Sequence, residues 1–146
     1  MNTLSRIIGV DYGSKRIGLS ISDPLGVIAR PIDALMNDDE FFNALRAIVV
    51  REQIKLFVVG MPFNLKGQVA FKAEEVRIFI DQLKREIGLD VVSWDERFTT
   101  TIAQQTLREM GTKKSERQKK DGRIDSMAAA ILLQNYLDSV KYSRSC

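Results

Sequence analysis

The segment RIIGVDYGSKRIGLSIS, running from Arg6 to Ser22, carries two short β-rich runs on either side of a polar turn. Arg6–Asp11 is apolar up to its closing acid, and Tyr12-Gly13-Ser14 interrupts it. Arg16–Ser22 alternates, with Ile17, Leu19 and Ile21 on one face. Asp23-Pro24-Leu25-Gly26 is a turn signal. Val27–Leu35 reads as a third, weaker strand whose Pro31 suits a sheet edge. Three short strands joined by tight turns predict an antiparallel meander.

The period changes further along. Phe42, Leu45, Ile48 and Val49 follow helical spacing and predict a helix over Asp38–Gln53, with Asn37 or Asp38 as its N-cap. Ile54–Gly60 is nearly continuously apolar, as a strand buried on both faces should be. A loop over Met61–Gly67 leads into a long amphipathic helix, Gln68–Ile87, striped by Val76, Phe79, Ile80, Leu83 and Ile87 and stopped by Gly88. Asp90–Asp95 is a fifth strand. A helix is expected over Thr100–Met110 and a last one over Arg123–Val140, with Lys141–Cys146 as a frayed tail. The order β-β-β-α-β-α-β-α-α predicts one α/β domain over residues 1–146. Its five-stranded mixed sheet has the order 3-2-1-4-5, with helices on both faces. Strands one, four and five are then parallel, with their C-terminal ends along one edge.

Composition narrows the chemistry. The 146 residues include no histidine, so Ser–His and Cys–His nucleophile systems, histidine acid–base catalysis and histidine-ligated zinc are excluded. One cysteine, Cys146, rules out a disulfide within the chain and points to a reducing compartment, the cytoplasm. No apolar run approaches the ~20 residues of a membrane helix, and the first residues lack the apolar core of an export signal. Net charge is +3. The segment Lys113–Arg123 alone carries +4, leaving −1 for the rest of the chain.

Ligand sites in open α/β sheets lie outside the carboxyl ends of parallel strands. Acids fall near that edge at three places: Asp11 ends strand one, Asp95 and Glu96 end strand five, and Asp125 begins the last helix. Taken singly, each has a structural explanation, as a turn residue, a surface ion-pair partner or a first-turn helix acid. Together they suit a hard divalent cation, Mg²⁺ or Mn²⁺, because converging carboxylates repel unless a cation compensates. Such an ion beside a phosphodiester activates water without any histidine.

The surroundings fit a polyanion. Ser14, Lys15 and Arg16 set a hydroxyl and two cations beside Asp11. Asn64 and Lys66, in the loop after strand four, are candidate phosphate contacts, whereas Phe63 and Trp94 read as core. Arg97, Thr99 and Thr100 follow the acidic pair, the threonines at a helix start where phosphate oxygens are well received. Lys113, Lys114, Lys119 and Lys120 lie in the basic segment, which ends two residues before Asp125 and would guide a nucleic-acid backbone.

Five strings, Gly9–Gly18 (GVDYGSKRIG), Ser22-Asp23-Pro24, Val59–Pro62 (VGMP), Trp94–Thr100 (WDERFTT) and Asp125–Ala129 (DSMAA), resemble the YqgF family in order and over nearly the whole chain. That family, also called RuvX, comprises bacterial RNase H-like proteins described as Holliday junction resolvases and as pre-16S rRNA nucleases. Met61 and Phe98 stand where the family commonly has leucine. The resemblance implies an RNase H-like fold and a divalent-metal nuclease. Its catalytic and metal-holding acids would be Asp11, Glu96 and Asp125, with Asp95 competing for the middle role. It implies pre-16S rRNA as substrate, within the small-subunit precursor, with branched DNA as the alternative. The acting unit would be a monomer or a homodimer. Two further readings are a non-catalytic RNA-binding module and an actin-like ATPase phosphate loop. The latter needs two such domains, and this chain has room for one.

Overall fold

The computed structural model describes residues 5–62, 67–96 and 122–145. Its five strands are β1 (Arg6–Asp11), β2 (Arg16–Ser22), β3 (Ala29–Met36), β4 (Ile54–Met61) and β5 (Asp90–Asp95). They form one sheet of order β3-β2-β1-β4-β5. β1 pairs antiparallel with β2, and β2 with β3; β1–β4 and β4–β5 are parallel. The helices are α1 (Phe41–Glu52), α2 (Gln68–Ile87) and α3 (Arg123–Ser145). The expected helix over Thr100–Met110 lies outside the described residues.

Alternation along the strands divides the core in two. Ile8, Val10, Ile17, Leu19, Phe57 and Val59 are buried against Phe41, Leu45, Val76, Phe79 and Leu83 of α1 and α2. Ile7 and Val58 point the other way and pack with Leu133 and Leu137 of α3. Removing this apolar surface from water is the main driving force holding the three layers together. α3 is also pinned by a buried hydrogen bond, in which the Ser20 hydroxyl donates to the Ala129 carbonyl at 2.7 Å. The indole of Trp94, on β5, meets Tyr136 of α3 edge-on.

Three boundaries differ from the sequence expectations by more than one residue. β3 begins at Ala29 because the Asp23 carboxylate accepts N–H bonds from Leu25, Val27 and Ile28, which draws Val27 and Ile28 into the turn. These backbone donors, Ile28 first, hold the Asp23 carboxyl below its ordinary pKa. α1 begins at Phe41, not Asp38. Asn37 Nδ2 donates to the Gly13 carbonyl instead of capping a helix, and Asp38 Oδ1 accepts from the Glu40 N–H in a turn before it. α3 runs on to Ser145 through the segment expected to fray, since nothing in Lys141-Tyr142-Ser143-Arg144 breaks the backbone ladder.

Candidate active site

Asp11 closes β1 at the C-terminal edge of the parallel strands. It has the same phase along the strand as Ile7, so its side chain belongs to the α3 face. Directly across the ladder sits Gly18 of β2. A Cβ at that glycine would run into the backbone carbonyl of Asp125. The missing side chain therefore lets the first turn of α3 lie on the sheet beside Asp11, and this places Asp125 there.

The residue after β5, Glu96, supplies the third acid by the same logic. Gly60 of β4 is paired with Trp94, and Met61 with Asp95. Gly60 shares the phase of Val58, on the α3 face. A Cβ on Gly60 would stand 3.3 Å from Glu96 Oε2 and 3.2 Å from Leu132 of α3. The Glu96 side chain thus lies over Gly60, on the same face as Asp11 and Asp125. Asp95 has the phase of Met61, which packs with the α1/α2 core. The two neighbouring acids at the end of β5 consequently serve opposite faces.

The electrostatics agree with this convergence. Burial pushes the Asp11 carboxyl from 3.8 up to about 7. The charge of Lys72 opposes that rise, and those of Glu96 and Asp125 add to it. A carboxyl raised this far while flanked by two others is a group short of positive charge. Arg16 supplies some on one side: its Nε lies 3.6 Å from Asp125 Oδ2, an ion pair in which the buried Nε makes no hydrogen bond. Arg16 thereby restrains Asp125 rather than standing free in solvent. Ser14 and Lys15 are exposed in the β1–β2 turn at the same edge. The Lys15 carbonyl accepts from the Asn37 N–H at 2.9 Å, which fixes that turn to the end of β3.

The donor set is all carboxylate oxygen, the chemistry that Mg²⁺ and Mn²⁺ prefer. Among the described residues, no three acidic, histidine or cysteine side chains are gathered closely enough to grip an ion as they stand. Asp11, Glu96 and Asp125 fit such an ion by chemistry, face and mutual influence. Asn64, Lys66, Arg97, Thr99, Thr100, Lys113, Lys114, Lys119 and Lys120 lie outside the described residues. Lys72, the charge with the strongest effect on Asp11, is absent from the sequence candidates. The signal was present, because Lys72 is in phase with Val76, Phe79 and Leu83 on the inward stripe of α2.

Comparison with known proteins gives a consistent result. The family model described as "RuvX: Holliday junction resolvase" matches residues 5–139. A protein of Sulfurihydrogenibium sp. named "Putative pre-16S rRNA nuclease" is 38% identical over 142 residues, covering 96% of this chain and 94% of that one. One of the same name from Acetivibrio thermocellus is 41% identical over 138 residues, covering 92% and 96%. Among solved structures, T. thermophilus RuvC in complex with a Holliday junction substrate superposes with a TM-score of 0.56 at 16% identity, covering 92% of this chain and 96% of that one. The Fowlpox virus resolvase bound to Holliday junction DNA gives 0.51 at 14% identity, covering 92% and 98%. At those identities the likeness speaks for the fold, a resolvase-type RNase H-like sheet.

Proposed function

The chain belongs to the RuvX family, and from that membership and the carboxylate geometry we propose that it is a metal-dependent nuclease acting in 5′-end maturation of pre-16S rRNA. The observation that carries this reading is the convergence of Asp11, Glu96 and Asp125, from three separate elements, on one face of the sheet edge. The relatives named for pre-16S rRNA support the substrate.

Asp11, Glu96 and Asp125 would hold Mg²⁺ or Mn²⁺, whose chemistry is to activate water and to neutralise charge on a phosphodiester. Arg16 keeps Asp125 oriented. Ser14 and Lys15, exposed in the turn after Asp11, would receive the backbone of the strand being cut. The basic segment Lys113–Arg123 would guide the polyanion, and Asn64, Lys66, Arg97, Thr99 and Thr100 would contact its backbone. Its setting would be the small-subunit precursor in the cytoplasm. No helix among the described residues is long and apolar enough to cross a membrane.

A second reading is favoured by the superposition on two junction-bound resolvases: the same site acting on branched DNA. Symmetric cutting of two strands would then call for a two-fold dimer. Purified protein with Mg²⁺ or Mn²⁺ is given a 5′-extended 16S precursor and a four-way DNA junction in parallel. Cleavage of the precursor alone, lost in Asp11→Asn, is the expected result. Preferential junction cleavage transfers the assignment to the second reading. Equal activity in wild type and variant refutes both.

A further inference from the structure

We infer that Asn37, one residue past the end of β3, is a positioning residue: it holds the β1–β2 turn so that Ser14 and Lys15 meet the RNA backbone in one fixed arrangement. The inference rests on the nuclease reading and adds to it the group that orders the substrate-receiving turn. β3 runs antiparallel to β2 and pairs Met36 with Arg16. Asn37 therefore stands beside the turn, at the edge where β1 ends in Asp11. From there it grips the turn twice. Its backbone N–H donates to the Lys15 carbonyl at 2.9 Å, and its side-chain Nδ2 donates to the Gly13 carbonyl at 2.9 Å. These two carbonyls bracket Ser14 and Lys15. Gly13 closes the turn from inside, because a Cβ there would run into the Arg16 carbonyl.

This use of Asn37 is made at the expense of a helix. Asparagine is among the best N-cap residues, and Asn37 lies just before α1. The N-cap position of α1 is instead Glu40, which makes no side-chain cap hydrogen bond. The asparagine secures a turn whose Ser14 and Lys15 are exposed and so gain no order from packing. Left loose, that segment would have to be ordered when RNA binds, at a cost to affinity. Arg16, the next residue, is held independently by its pairing with Met36 and by its ion pair with Asp125. The contribution of Asn37 therefore falls on Ser14 and Lys15, and on RNA affinity more than on the carboxylates.

The test measures binding of a short labelled single-stranded RNA in EDTA. It compares wild type, Asn37→Ala and Asn37→Leu, the last keeping the bulk without the donor. Each is also made in a Ser14→Ala, Lys15→Ala background. Thermal melts show which variants are folded, and cleavage kinetics in Mg²⁺ run alongside with Asp11→Asn. The Asn37 variants should weaken binding by about 2–10-fold, the range that ordering one rotamer-rich side chain spans. In the background lacking Ser14 and Lys15 side chains they should cost nothing further, because the groups they position are gone. In Mg²⁺ the loss should appear in KM, with kcat unchanged. Binding equal to wild type overturns the inference. So does an equal loss with and without the Ser14 and Lys15 side chains, or a loss confined to kcat. If wild type cleaves and Asp11→Asn does not, these results count against Asn37 alone. If wild type binds without cleaving, the nuclease reading falls and the binding series still decides the role of Asn37. If wild type neither binds nor cleaves, both fall.

Discussion

Replacing Asp11 by asparagine should make the metal-free protein more stable, and the gain should depend on pH in a defined way. Folding lifts the Asp11 carboxyl from 3.8 to about 7, chiefly by burial. Between those values the folded state holds a proton that the unfolded chain has released, so wild-type stability falls as pH rises and levels off above about 7. Each tenfold change in proton affinity is worth about 1.4 kcal/mol, which puts the full cost of the ionised group near 4 kcal/mol. Partial exposure lets water offset some of that, leaving about 2–3 kcal/mol. Asparagine has nearly the same shape and no charge to bury, so it escapes this cost. Urea melts in EDTA should show wild type and variant within error at pH 4 and separated by that amount at pH 8. For a chain of this length the gap corresponds to a melting shift of roughly 4–12 °C. Adding Mg²⁺ at pH 8 should narrow the gap, because only the wild type gains a compensated site. A variant no more stable than wild type at pH 8, or a difference that ignores pH, would refute the claim that Asp11 is an uncompensated carboxylate.

Three further outcomes are expected. Gly18→Ala forces a methyl group into the Asp125 carbonyl and should cost at least about 1–3 kcal/mol in urea melts. Its loss of cleavage should exceed what that destabilisation explains, since the start of α3 must move away from Asp11. Ser20→Ala removes the buried 2.7 Å hydrogen bond to Ala129 and should cost about 1–2 kcal/mol with cleavage by the remaining folded protein intact. Neutralising Lys119 and Lys120 together should weaken RNA binding and lower its salt slope by about 1.4; an unchanged slope returns that segment to the status of a plain surface loop.

The strand meander, the sheet order and the bounds of α2 were legible because each rests on local signals: alternation, turn residues and a long 3.6-residue period. The ends of β3 and α1 were not, because polar side chains took unexpected partners. Asp23 bonds the turn that would have extended β3, and Asn37 reaches back to Gly13 instead of capping α1. The candidate acids were visible as strand and helix ends. Which of Asp95 and Glu96 joins Asp11 was not, since the answer lies in the β4–β5 register and in the space that Gly60 leaves. Lys72 was overlooked because a lysine in a polar-rich helix reads as solvated surface unless its phase is followed to the sheet edge.

The opposed faces of Asp95 and Glu96 offer the most direct test of a site built from Asp11, Glu96 and Asp125. Cleavage of the 16S precursor in Mg²⁺ is compared for Glu96→Gln and Asp95→Asn, with urea melts to show that both fold. Glu96→Gln should lose more activity than the ~10–100-fold that removing an outer-shell partner of a metal costs, and Asp95→Asn should cleave at near wild-type rate. The reverse order, or equal losses, would contradict the three-acid site.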